Sequence, residues 1–201
     1  ALYLQGAGIQ VEAYDDRFSE PLRSRLLGEG IEILGEPIPT DEPDCVIRSS
    51  AVSVDGAQVS PWTKKGIPVY QRGEFLAKFT AHRKILAVVG SHGKTTTTGM
   101  LVWALEQVDF PCSYLVGGCF RDESLPPGKF IGKTWIILEV DESDGTIEKF
   151  SPTTTLALNC DWDHVDRYDS SDSLASTFQG LFGRTKECLI VPQGTELEEW
   201  A

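Results

Sequence analysis

Ile85-Leu86-Ala87-Val88-Val89 runs straight into Gly90-Ser91-His92-Gly93-Lys94-Thr95-Thr96-Thr97-Thr98. The short apolar run, ending in two β-branched residues, reads as a buried strand, and the glycine turn that follows breaks it. From Lys94 the pattern turns helical, over 94–107. Strand, glycine turn and helix in that order bring backbone N–H groups and the positive end of a helix to one point, which suits an anion. Lys94 adds a point charge for the β- and γ-phosphates of a nucleotide, and the Thr95 hydroxyl is placed to hold Mg2+. Only Ser91 and His92 separate the two glycines, so this loop is shorter than the common Walker A form.

The rest of the chain alternates in the same way. Helical patterns over 1–8, 21–27 and 74–81 are interleaved with strand-like runs at 10–14, 31–34, 45–47 and 67–70, with a Pro-rich turn at 36–43 and a loop or short helix at 54–61. After the polar break His82-Arg83-Lys84, strands are expected at 85–89, 113–116, 134–138, 154–158 and 188–191. The stretch from 117 to 132 reads as irregular, and 171–181 as an amphipathic helix. Such alternation implies a parallel sheet, hence an α/β fold. The expected division is a Rossmann-like domain over 1–82, then a P-loop-type parallel-sheet domain over 83–201 that is incomplete at its C-terminal end. On the helix 94–107, Leu101, Val102, Trp103 and Leu105 read as core, as do Trp135 and Phe178.

Composition narrows the partners. Eighteen basic against 30 acidic side chains give a net charge of −12, and no Lys/Arg cluster stands out. That argues against a nucleic-acid backbone as partner, while an anionic nucleotide can still be held by a local field. No apolar run approaches a membrane span and there is no signal-peptide pattern, so a cytoplasmic protein is expected. The five cysteines are scattered without CxxC spacing, which reads as buried, reduced thiols rather than a zinc site or a disulfide frame.

Three expected strands end in polar residues: Val89 into the glycine loop, Leu138 into Glu139, and Leu158 into Asn159. Open α/β sheets bind ligands beyond the carboxyl ends of their strands, so these residues should converge. Glu139 stands where nucleotide hydrolases place an acidic Mg2+ ligand, followed at once by Asp141, Glu142 and Asp144; the alternative is a solvated acidic loop. His164, within Asp163-His164-Val165-Asp166, reads either as a ligand for a second divalent ion or as a surface histidine. His92 reads either as a loop-filling residue or as one placed near a transferred phosphoryl group.

Taken together, Gly90 through Thr98, Glu-Val-Asp-Glu-Ser-Asp-Gly at 139–145 and Asn-Cys-Asp-Trp-Asp-His-Val-Asp-Arg-Tyr at 159–168 resemble the Mur ligase family. The short phosphate loop is that family's form. The histidine between the glycines resembles the branch that works on UDP-N-acetylmuramate itself. The resemblance implies an ATP-dependent amide ligase of peptidoglycan precursor synthesis. ATP phosphates would lie on Gly90, Ser91, His92, Gly93, Lys94, Thr95 and Thr96, with two Mg2+ ions on Thr95, Glu139 and His164, and with Lys94, Glu139 and His164 as the catalytic set. UDP-N-acetylmuramate and L-alanine would be the substrates. A murein tripeptide in place of L-alanine is the near alternative; that ligase usually has tyrosine where Ser143 stands, which sets this sequence apart from it. More weakly, 11–16, 49–51 and 67–72 resemble the family's UDP-substrate domain, with Asp15, Ser49 and Arg72 as candidates on the uridine side. The first residue is Ala rather than Met. The family's N-terminal Gly-rich loop, adenine site and amino-acid domain have no counterpart here, so the expected state of this chain alone is inactive. A silent nucleotide-binding module and a simple P-loop NTPase are the competing classes. Oligomeric state has no sequence signal.

Overall fold

The computed structural model describes residues 1–37, 41–122, 124–132, 134–143, 145–161, 168 and 170–201. The chain forms two compact units, Ala1–Leu76 and Ala77–Ala201.

In the first unit the elements run α1 (Leu2–Gly6), β1 (Glu12–Ala13), α2 (Glu20–Gly28), β2 (Glu32–Ile33), β3 (Val46–Arg48), α3 (Ser60–Lys64) and β4 (Val69–Gln71), and α4 (Arg72–Thr80) carries the division between units. Strands β1 and β2 pair in parallel, as do β3 and β4, giving two separate two-stranded ladders. Helix α2 begins where Pro21 falls in its first turn, a position with no amide needed for the helix. It ends just ahead of Gly30, whose φ of 75° suits glycine. Tyr3, Leu4, Leu26, Ile31, Val59 and Trp62 are the buried apolar side chains among the described residues of this unit.

The second unit is built on a six-stranded sheet. Its elements are β5 (Lys84–Val89), α5 (Lys94–Gln107), β6 (Cys112–Leu115), β7 (Gly128–Lys129), β8 (Trp135–Glu139), a 3-10 turn (Thr146–Lys149), β9 (Thr154–Ala157), α6 (Ser171–Arg184), β10 (Cys188–Ile190) and α7 (Glu196–Trp200). The strand order is β10-β9-β5-β8-β6-β7, parallel throughout except for the antiparallel edge strand β7. The apolar run Ile136-Ile137-Leu138 is buried along its whole length, as expected where helices cover both faces of a parallel sheet. One core cluster joins Val88, Val102, Cys112, Tyr114 and Ile137, with Leu101 and Leu105 of α5 and Trp135 packed against it. On α6, Leu174, Phe178, Leu181 and Phe182 are buried in a single stripe at helical spacing. Its N-terminus is capped by Ser170, which accepts a bond from the Ser173 amide at 3.2 Å.

The observed fold is the α/β parallel architecture the alternation implied, with four departures. Trp103 is 53% exposed, so it is not core: α5 carries consecutive apolar residues, and only Leu101, Val102 and Leu105 turn toward the sheet. The stretch read as irregular contains β7, formed because Leu115 and Tyr114 offer their free edge to Gly128 and Lys129. Helix α7 was not anticipated. Among the cysteines, all free, Cys119 and Cys188 are exposed rather than buried, because Cys119 sits in a loop and Cys188 on the edge strand β10. No helix is long and apolar enough to cross a membrane among the described residues.

Candidate functional site

Strand order makes the site. Strand β5 lies between β9 and β8, so the glycine loop after Val89, Glu139 at the end of β8 and Asn159 just past β9 come together at the carboxyl edge of the sheet.

Gly90 is where the chain leaves the sheet. Its φ is 143°, and a Cβ there would lie 3.1 Å from both the Asn159 carbonyl oxygen and Leu158 Cβ, so only glycine lets the loop cross β9 this closely. Asn159 then clamps the loop from the other side. Its Oδ1 accepts from the His92 amide at 2.8 Å, its Nδ2 donates to the His92 carbonyl at 3.0 Å, and its own carbonyl accepts from the Ser91 amide at 3.3 Å. The Ser91 hydroxyl donates to the Asp161 carbonyl at 2.8 Å and accepts from the Asp161 amide at 3.0 Å. The His92 ring is exposed, with Nε2 3.8 Å from Asp161 Oδ2. The amides of Ser91 and His92 are therefore committed to Asn159. Gly93, at φ 81°, opens α5, and the first turn of that 14-residue helix presents the amides that no helical carbonyl satisfies.

At the helix start, the Thr95 hydroxyl donates to Glu139 Oε2 at 2.8 Å, and the Gly117 amide donates to Glu139 Oε1 at 2.6 Å. A Cβ on Gly117 would fall 2.7 Å from Glu139 Oε2, so this glycine forms the wall of a cradle sized for the carboxylate. A hydroxyl oxygen beside a carboxylate oxygen, both next to a helix N-terminus, is the hard donor pair that Mg2+ uses together with phosphate oxygens. The chain's residues thus fit a magnesium-bound nucleotide phosphate. No group of three or more His, Cys, Asp or Glu among the described residues converges into a metal site. His164, Asp163 and Asp166 lie outside the described residues.

Lys94 Nζ donates to the Gly90 carbonyl at 2.6 Å and to Glu142 Oε2 at 2.9 Å. Glu142 is fully buried, so the alternative of a solvated acidic loop does not hold at this residue. Sequence reasoning gave it no role. The one available signal was its position just past a strand neighbouring the glycine loop, where a carboxylate can meet the loop lysine. Cys160, beside the clamp, is pushed up to about 11 by burial and by the carboxylates of Glu142, Glu196 and Asp161. Burial and these charges both favour the neutral thiol over the thiolate.

In the first unit a cleft of about 650 Å³ is lined by Asp15 and Ser49, while Arg72 is not among its lining residues. Its rim carries Glu12, Asp15, Asp16, Asp41, Glu42 and Asp44 against one basic residue, Arg48. Arg48 is already engaged, donating to the Val52 carbonyl at 2.6 Å. Asp15 accepts from the Arg17 amide and Asp16 from the Gln58 side chain. Such a cleft suits a group that offers hydroxyl and N–H donors rather than a phosphate.

No protein-family model matches the chain. It is 33% identical over 183 residues to the UDP-N-acetylmuramate–L-alanine ligase of Solidesulfovibrio magneticus, covering 87% of this chain and 38% of that protein. The ligase of the same name from Carboxydothermus hydrogenoformans is 34% identical over 182 residues, covering 89% of this chain and 39% of its own. The chain therefore spans less than two fifths of the length of these curated relatives. Among solved structures, UDP-N-acetylmuramate-alanine ligase MurC from Thermotoga maritima superposes with a TM-score of 0.84 at 25% identity, over 96% of this chain and 46% of that one. The UDP-N-acetylmuramate:L-alanyl-gamma-D-glutamyl-meso-diaminopimelate ligase from Neisseria meningitides shares the fold, with a TM-score of 0.80 at 21% identity, over 98% of this chain and 68% of that one. A parallel sheet with a clamped glycine loop at its carboxyl edge and these homologues over most of its length lead to one conclusion: the chain belongs to the Mur ligase family.

Proposed function

We propose that this chain carries the ATP-phosphate site of a ligase that joins L-alanine to the lactyl carboxylate of UDP-N-acetylmuramate. The observation that carries the reading is the Thr95–Glu139 pair at the start of α5, in a chain homologous to ligases of that name. The amides of residues 93–96 hold the phosphates, the Lys94 ammonium meets the β- and γ-oxygens, and Thr95 with Glu139 holds Mg2+. His164 holds a second Mg2+. Bound magnesium supplies charge neutralisation on the oxygens of the transferred group. The lactyl carboxylate attacks the γ-phosphorus, ADP leaves, and the amine of L-alanine then displaces phosphate from the acyl carbon. Such transfer needs positioning more than covalent help from the protein, and the Asn159 clamp supplies it by fixing the loop before nucleotide arrives. The carboxylate-rimmed cleft with Asp15 and Ser49 takes the nucleoside end of the sugar nucleotide, where ribose hydroxyls donate; Arg72, which does not line that cleft, has no part in it.

The test uses the protein containing this chain at the length of its relatives. Phosphate release from ATP should require UDP-N-acetylmuramate together with L-alanine. Release supported by a murein tripeptide but not by L-alanine would move the assignment to the recycling reaction. Release that needs neither substrate would reduce the protein to a plain NTPase, and no turnover with any of them would leave a silent nucleotide-binding module.

A further inference from the structure

Glu142 is a fully buried carboxylate, and carboxylates are almost never buried without a partner. Its partner is Lys94, whose Nζ lies 2.9 Å from Oε2 and 3.2 Å from Oε1. The same ammonium donates to the Gly90 carbonyl at 2.6 Å, while Asp141 Oδ1, in a more exposed residue, stands off at 3.9 Å. The Glu142 backbone is held as well: its carbonyl accepts from the buried Tyr168 hydroxyl at 2.7 Å. An ammonium has three N–H donors. Gly90 takes one and the two Glu142 oxygens take the others, so an incoming phosphate oxygen competes for the donor that now meets Oε1, the longest of the three contacts at 3.2 Å.

We propose that Glu142 is a positioning residue for phosphoryl transfer, which pins Lys94 against the Gly90 carbonyl and offsets its charge so that the lysine meets the γ-phosphate with a single aimed donor. The proposal rests on the phosphate-site reading given above. A carboxylate close behind the lysine weakens the attraction for nucleotide in the ground state, because its charge opposes that of the phosphates. Fixing the donor direction favours the transition state, where alignment matters most. Removing the charge while keeping the shape should therefore tighten nucleotide binding and slow transfer, two effects of opposite sign. A side chain that only supported the fold would weaken both.

The experiment is Glu142→Gln. Titration calorimetry of the protein at the length of its relatives with Mg·ATP and Mg·ADP should show both bound about three- to tenfold more tightly than by wild type, as expected for one like charge removed near the phosphates. In the protein at the length of its relatives, kcat should fall at least about tenfold while KM for ATP falls or holds. Unchanged or weaker affinity in a folded variant overturns the proposal. The phosphate-site reading is checked separately in the protein at the length of its relatives: wild type must bind Mg·ATP and Lys94→Ala must lose it. If wild type does not bind, that reading fails and this one with it; if wild type binds and Glu142→Gln binds no more tightly, only the role of Glu142 fails. Should Glu142→Gln not fold, the double variant Lys94→Ala/Glu142→Gln removes the whole pair. It should melt above Lys94→Ala alone, and a melting temperature no higher than that of the single variant overturns the pairing.

Discussion

Lys94→Ala is expected to lose nucleotide binding and thermal stability together. The lysine supplies the one side-chain cation in contact with the glycine loop among the described residues, and charge-assisted hydrogen bonds are the strong ones. Its loss should weaken Mg·ATP binding by about 100-fold, equivalent to roughly 3 kcal/mol. Stability falls for a different reason: the buried Glu142 carboxylate loses the two charged hydrogen bonds, at 2.9 and 3.2 Å, that Lys94 gives it. Breaking one side of a buried pair costs about 3–5 kcal/mol. For a unit of this size that lowers the melting temperature by about 10 °C or more. Calorimetric titration and thermal melting of the same sample check both halves. A variant that melts like wild type would mean that Glu142 is satisfied without the lysine. One that still binds Mg·ATP would remove Lys94 from the phosphate site.

Gly90→Ala is the second large effect, and it acts through the backbone. Alanine at φ 143° is strained by about 1–3 kcal/mol, and its Cβ would meet the Asn159 backbone and Leu158 at 3.1–3.2 Å. None of these neighbours is the free end of a flexible side chain, so the loop must move off β9. The bonds from Asn159 to His92 and Ser91 stretch first, and the amides opening α5 move with the loop. Binding of Mg·ATP should drop about tenfold or more, as a misplaced site does when it moves by an ångström. Gly66→Ala separates strain from displacement. Gly66 also has a positive φ, 79°, but a Cβ there has nothing within 4 Å, so it should destabilise its own unit slightly and leave nucleotide binding as it was. Equal binding losses in the two variants would show that backbone strain alone, rather than the fit of the loop on β9, sets the site.

The elements that build the site could be read from residue order because local and global signals agree there. The apolar run before Gly90, the glycines and the helix-forming stretch after Lys94 each demand the same strand–turn–helix unit, and α5 spans Lys94–Gln107 as the pattern implies. Strands β8 and β9 carried Ile, Leu and Thr in runs short enough to be strands and nothing else. What could not be read depended on pairing. Strand β7 is two residues long and exists because β6 has a free edge. Helix α5 carries Leu101, Val102, Trp103, Ala104 and Leu105 in a row, so the sequence cannot say which face meets the sheet, and Trp103 proves to be outside. Glu142 was hidden for the same reason: in an acidic run, only the neighbouring strand shows which carboxylate turns inward to the lysine. The candidate residues Glu139 and Thr95 were legible as a pair because Glu139 ends β8 and Thr95 lies in the first turn of the helix that follows β5, two strands that the topology makes adjacent.

The most direct measurement follows one oxygen atom. UDP-N-acetylmuramate labelled with oxygen-18 in its lactyl carboxylate is turned over with ATP and L-alanine by the protein containing this chain at the length of its relatives, and the released phosphate is analysed by mass. If the carboxylate attacks the γ-phosphorus and the amine then expels phosphate, one labelled oxygen leaves with each phosphate released. Phosphate carrying no label, with both labelled oxygens retained on the lactyl group, would contradict an acyl-phosphate ligase and leave the site at Lys94, Thr95 and Glu139 as one that only hydrolyses or holds nucleotide.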